Sequence, residues 1–153
     1  MSRLVLLVLV ALCAGVLPST GRAFAPAPPV GRPAPPEIVA ELRQAVERAR
    51  QRFEARDATA VLASVSEQYR SEGVTKPAVR QQLLGMYALY DVLHARVAVD
   101  QVELVDGAAW VYTTGEVSGV LPLLGRVTVL AWERQPEVAR REGNAWRLFG
   151  FQD

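Results

Sequence analysis

Four side chains of this 153-residue chain are candidates for proton transfer: Asp57, Glu72, Asp91 and His94. Burial raises a carboxyl toward working pH, and imidazole titrates nearest neutrality. His94 is the single histidine and stands where a helical pattern gives way to an alternating one, so it leads for acid–base work. Asp57 precedes an apolar helical run and reads as an N-cap, Glu72 falls in a polar turn, and Asp91 ends a helix. No acid–base pair stands out, and the reading leans away from an enzyme. One histidine, a single cysteine at position 13 and no carboxylates at ligand spacing argue against a metal site. No cofactor is expected. A serine–histidine motif and a phosphate-cradling glycine run are both missing.

The aromatic residues Tyr69, Tyr87, Tyr90, Trp110, Tyr112, Trp132 and Trp146 suit a small hydrophobic ligand, their polar tips orienting it. Ordinary core is the competing reading. Binding would call for a tyrosine-lined pocket of ~300 Å³ or more.

The N-terminus carries a different signal. Arg3 followed by the apolar run Leu4 to Leu17, a Pro18–Gly21 break and small residues reads as a secretory leader over residues 1–23. The cut falls somewhere within positions 21–25. The run is shorter than the ~20 residues of a membrane span. An exported domain, periplasmic or extracellular, is therefore expected, with an uncleaved anchor as the lesser alternative and no stable membrane insertion after cleavage. Cutting before Phe24 removes Arg3, Arg22 and the cysteine, leaving 15 basic against 16 acidic residues. A chain so balanced has no basic stripe for nucleic acid. Residues 24–36, with "PAPPVGRPAPP", read as an extended spacer.

Positioning elements follow in residues 37–153. Pro36 opens a helix with Ile38, Leu42, Ala45, Val46, Ala49 and Phe53 on one face. Asp57 starts a second, shorter one. Thr75 caps a third, with Val79, Leu83, Met86, Tyr87 and Tyr90 as its stripe. After Asp91 the period becomes two, slipping at Asp100-Gln101 as a bulge would. Asp106-Gly107 is a hairpin turn. The reading continues with strands over "AAWVYTTGEVSG", "RVTVLAWER" and "AWRLFGFQ". Pro136 ends the third, and Gln135 to Glu142 forms a connection or flap.

This order, with Ala55-Arg56-Asp57 between the first helices, Trp132 in the third strand and Gly143 to Gln152 at the end, resembles the nuclear transport factor 2-like superfamily, including the SnoaL-like polyketide cyclases, of cystatin-like fold. The resemblance implies an α+β domain, three helices packed in a strongly curved antiparallel sheet of four main strands, forming a cone. It also implies an apolar pocket, for which Tyr69, Tyr87, Tyr90, His94, Trp132 and Gln152 are the candidates. Isomerase- or cyclase-type acid–base chemistry is the alternative function, and a dimeric module without ligand is a third.

A homodimer through the outer sheet face is expected. Trp110, Tyr112, Phe149 and Phe151 would supply its aromatic surface, and Leu121, Leu123 and Leu124 an apolar loop too hydrophobic to leave in water.

Overall fold

The computed structural model describes residues 31–152. The expected leader (residues 1–23) and the first part of the proline-rich segment lie outside those residues. The elements are β1 (Arg32–Pro33), α1 (Pro36–Glu54), α2 (Ala58–Ala63), β2 (Arg70–Ser71), β3 (Val74–Thr75), α3 (Lys76–Leu89), β4 (Val92–Val105), β5 (Ala108–Leu121), β6 (Gly125–Glu142) and β7 (Ala145–Leu148). Among the described residues no helix is long and apolar enough to cross a membrane.

Helix boundaries follow local chemistry. Pro36 sits in the first turn of α1, where its missing N–H is no loss, and Glu37 faces the positive helix end. The Asp57 carboxylate accepts the Ala60 N–H at 2.9 Å and so caps α2. Thr75 holds the N-cap position of α3 without a side-chain capping bond. The far end of α3 is closed from outside. Arg56 donates to the carbonyl oxygens of Tyr90 at 2.8 Å and Asp91 at 3.2 Å, and also to that of Tyr87. Tyr87 lies in the last turn, where carbonyls lack a partner within the helix, and Tyr90 and Asp91 follow directly after it.

The expected four-stranded, strongly curved cone is overturned. The sheet is an open ladder of five strands in the order β1-β4-β5-β6-β7, antiparallel throughout, and β2 pairs with β3 separately. Its extra strand comes from the proline-rich segment, where Arg32 pairs with Leu104 and Pro33 with Glu103. A proline lacks the ladder donor, and an edge strand tolerates that.

Pro136 does not end the third strand either. β6 runs on to Glu142, and the Gln135 to Glu142 segment is strand, not connection or flap. β7 pairs only with Ala139–Glu142, so Pro136 lies on an uncovered stretch of β6 where no neighbour needs its N–H. The final strand is shorter than expected, because the chain leaves the ladder after Leu148. At Gly150 (φ +77°) it crosses so close to the Arg70 carbonyl that a Cβ would lie 2.2 Å from the oxygen. The expected slip at Asp100 is present as a register shift between Val99 and Gln101.

Two buried clusters lie between helices and sheet. The larger joins Phe53, Val61, Val79, Leu83 and Met86 to Leu93, Val117, Trp132 and Leu148. The smaller sets Leu42 of α1 against Val102, Ala109, Val111 and Ala139.

Candidate functional site

Where α1 crosses the sheet between these clusters, the interior is not filled. A cavity of about 80 Å³ remains. Its roof is α1 (Leu42, Ala45, Val46, Ala49, Arg50, Phe53), its side the end of α2, and its floor β4, β5, β6 and β7. The space arises from small residues facing one another. Ala45 and Ala49 fall on the apolar stripe of α1, opposite Ala95 on β4 and Ala139 on β6. A buried water needs only ~10–15 Å³, whereas drug-sized ligands occupy ~300–1,000 Å³. The cavity therefore suits one ring or a short branched chain, a smaller guest than the sequence suggests.

One acidic group lies within this lining. Glu137 is 1% exposed, on β6 opposite Val111, which also lines the cavity. Glutamates are almost never fully buried unless paired. Two guanidiniums line the space as well, each held from outside by carboxylates. Arg50 bridges Glu47 at 2.7 Å and Glu54 at 2.8 Å, and Arg147 lies 3.5 Å from Glu142. Hydrogen bonds from Arg50 and Gln51 pull the Glu47 carboxyl down to about 2. Glu54 also accepts the Ala95 N–H at 2.9 Å, tying α1 to β4 beside the cavity.

A second hollow, of about 440 Å³, opens on the surface near the start of α1, between Arg32, Ile38, Leu104, Asp106, Gly107, Arg141 and Trp146. Two of its polar side chains, Arg141 and Trp146, are engaged. Glu41 accepts from both Arg141 and the Trp146 indole, the latter at 2.8 Å, and these bonds lower its pKa.

The pocket candidates from sequence lie elsewhere. Tyr69, Tyr87, Tyr90 and Trp132 come together in the larger cluster, and none lines the cavity. The Tyr87 hydroxyl donates to the Phe53 carbonyl at 3.0 Å, and burial pushes its pKa up to about 12. The Trp132 indole donates to Thr113 at 3.0 Å. Gln152 donates to the carbonyls of Phe149 at 2.8 Å and Gln68 at 3.1 Å. The His94 side chain is half exposed, its Nδ1 3.9 Å from Glu54. Of the aromatic set, Trp146 alone lines the cavity. Among the described residues no three ligating side chains gather as a metal site.

On the opposite sheet face the interface candidates partly converge. Trp110 and Phe151 meet edge-to-face with centroids 5.3 Å apart, and Phe149 is buried beneath the Arg140 guanidinium. Tyr112 is half buried, its hydroxyl 3.5 Å from Glu103. Leu121 packs against the core, whereas Leu123 and Leu124 stand in solvent.

Sequence reasoning did not single out Glu137 or Arg50 for a site, and it placed Ala45 and Ala49 only on the apolar face of their helix. In "QPEVARRE" a glutamate beside proline reads as solvated loop. Parity misleads too. A register shift opposite Thr113 to Gly115 inserts an extra residue between Trp132 and Gln135, which brings odd-numbered residues to the helix side.

No family profile and no curated protein matches the sequence. Solved structures do match in fold. A protein of the NTF2-like (nuclear transport factor 2-like) family from Streptomyces avermitilis aligns with TM-score 0.60 at 13% identity, over 76% of this chain and 94% of that one. A protein with a cystatin-like fold from Nostoc punctiforme aligns with TM-score 0.56 at 13% identity, over 77% and 90%. Bd1075 of Bdellovibrio bacteriovorus aligns with TM-score 0.60 at 12% identity, over 74% of this chain, which spans only 39% of its length. The fold is thus that of the NTF2-like, cystatin-like structures.

Proposed function

We propose that this chain is an exported small-molecule-binding domain whose ligand enters the cavity between α1 and the sheet. The observation that carries this reading is an apolar space with one buried carboxyl on its floor, lined by residues from α1, α2 and four strands. Apolar walls supply affinity and a few convergent polar groups supply orientation. Acid–base catalysis of the isomerase or cyclase kind is the alternative. Within the cavity Glu137 is the group suited to it, while His94 lies outside the lining.

Titration with toluene, followed by backbone amide shifts, tests the reading. Shifts should cluster at Ala49, Val111 and Ala139, and Ala49→Leu should remove them by filling the space. Shifts gathered instead around Trp110 and Phe151 would sink it.

The outer sheet face favours self-association as well. Trp110 and Phe151 form an aromatic pair near the start of β5, with Tyr112 two residues on, while Leu123 and Leu124 stand in water beyond the other end of the same strand. A second copy through this face is expected. Sedimentation at tens of micromolar should show a dimer that Trp110→Arg converts to monomer, with helical circular dichroism unchanged. A monomeric wild-type protein would refute it.

A further inference from the structure

Most polar side chains that line the cavity already have their partners. Arg50 commits all three guanidinium nitrogens along α1. Its Nε and Nη2 donate to Glu47 at 2.8 and 2.7 Å, and its Nη1 lies 2.8 Å from Glu54. The Ser64 hydroxyl donates to the Val61 carbonyl, and the Trp146 indole donates to Glu41 at 2.8 Å. Glu137 is partnered as well. Arg147 differs. Its Nε–H is buried with no acceptor among the described residues. Ser71, Gln82 and Gln135 also bury an unmet oxygen, but none of them lines the cavity. A buried donor left unmet forfeits its solvation, and the loss is greater on a charged group.

The backbone that carries Arg147 is fixed from two sides. The Leu148 N–H donates to the Ser64 carbonyl and the Ser66 N–H to the Leu148 carbonyl, both at 2.8 Å, which pins β7 to the end of α2. On the sheet, Arg147 stands opposite Arg140 of β6. The charge of Arg147 is met. One terminal nitrogen lies 3.5 Å from Glu142, which also accepts the Ser66 hydroxyl at 2.5 Å. What Arg147 lacks is one hydrogen bond, not a counter-charge.

We infer that the cavity takes small apolar molecules bearing one uncharged hydrogen-bond acceptor, a ketone or aldehyde oxygen, which the Arg147 Nε–H meets. This rests on the cavity being a ligand site, as proposed above, and adds the class of ligand. A hydrocarbon ring lies against Ala45, Ala49, Ala95 and Ala139, with its oxygen turned to β7. A carboxylate is a poorer guest, because the charge of Arg147 already faces Glu142 and the Glu137 carboxyl shares the lining. An amine would bring a donor to a place that lacks an acceptor.

Cyclohexanone and methylenecyclohexane have nearly the same shape and differ at the oxygen, so they separate the two statements. Each is titrated into the whole protein while arginine Nε–H and backbone amide resonances are followed. Both should shift the amides of Ala49 and Ala139, but cyclohexanone alone should move the Arg147 Nε–H downfield. Arg147→Lys keeps the charge and removes Nε, so it should weaken cyclohexanone about tenfold and leave the hydrocarbon unchanged. Cyclohexanone bound with the Nε–H unmoved would overturn the inference, and so would binding of the hydrocarbon alone. Either result leaves the cavity reading standing, whether or not the variant folds. Undiminished cyclohexanone affinity in a folded Arg147→Lys protein would overturn it too. If neither compound binds, the cavity reading fails, and this inference with it.

Discussion

The two ends of the helix–sheet interface are built from different pairings, and the contrast explains why one is solid and the other hollow. At the filled end, large rings lie on bare backbone. Trp132 covers Gly115 so closely that a Cβ there would sit 2.3 Å from the indole, and Tyr90 covers Gly119 at 2.4 Å. At the hollow end, Ala45 and Ala49 face Ala95 and Ala139. Large against none leaves no space, whereas small against small leaves a cavity. Interior volume is set by how sizes are matched across the interface, not by how apolar the sequence is.

Several substitutions break or sharpen this contrast. Trp132→Ala should be the most damaging. It empties the filled end and strands the Thr113 hydroxyl, for a loss of about 3–5 kcal/mol by urea unfolding. Gly115→Ala comes next, at about 1–3 kcal/mol, because the methyl would meet both the indole and the Arg96 carbonyl at 2.5 Å, which cannot swing away. Ala49→Leu should act in the opposite sense. Filling the hollow end is expected to gain about 0.5–2 kcal/mol. If it destabilises as much as Gly115→Ala does, the two ends do not differ as described.

Two smaller effects appear as pH dependence. The Tyr87 phenol is raised to about 12 by burial in the filled end. Folding therefore holds its proton more tightly than the unfolded chain does. Its contribution is intact below the ordinary phenolic value near 10 and is lost as pH rises through about 12. Tyr87→Phe should flatten that alkaline limb of the thermal midpoint while costing about 1 kcal/mol at neutral pH for the lost bond to Phe53. Glu47, over the hollow end, shifts the other way, to about 2. Its contribution is present above the ordinary carboxyl range and lost as pH falls through about 2. The site is exposed, so Glu47→Gln should change the acid limb only slightly, and less in high salt.

Local signals were the legible ones. Helical periodicity, the Asp57 cap, Pro36 at the start of α1, the bulge at Asp100 and the Asp106-Gly107 turn all act within a few residues of themselves. Pairings between distant segments were not legible. Nothing in "GRPAP" announces that its backbone will bond to Val102–Leu104, and composition alone reads as spacer. Pro136 looked like a terminator because a central strand would reject it, and only the short reach of β7 makes its place an edge. Glu137 was hidden by the same distant geometry. The irregularity that turns it inward is defined by pairing with β5, which the residues of β6 do not reveal by themselves.

The β1 pairing also gives the molecule a direction. Because β1 runs antiparallel to β4 with Arg32 opposite Leu104, the chain arrives at the sheet from the Asp106-Gly107 end. Gly31 is already pressed against Glu103 and Val105 on that path. The β5–β6 turn that carries Leu123 and Leu124 lies just past the opposite end of the β4–β5 ladder, fourteen residues away along each strand, or ~45 Å at the usual rise. The described residues thus have a near pole, where Arg32 and Pro33 join the sheet, and a far pole tipped with two exposed leucines.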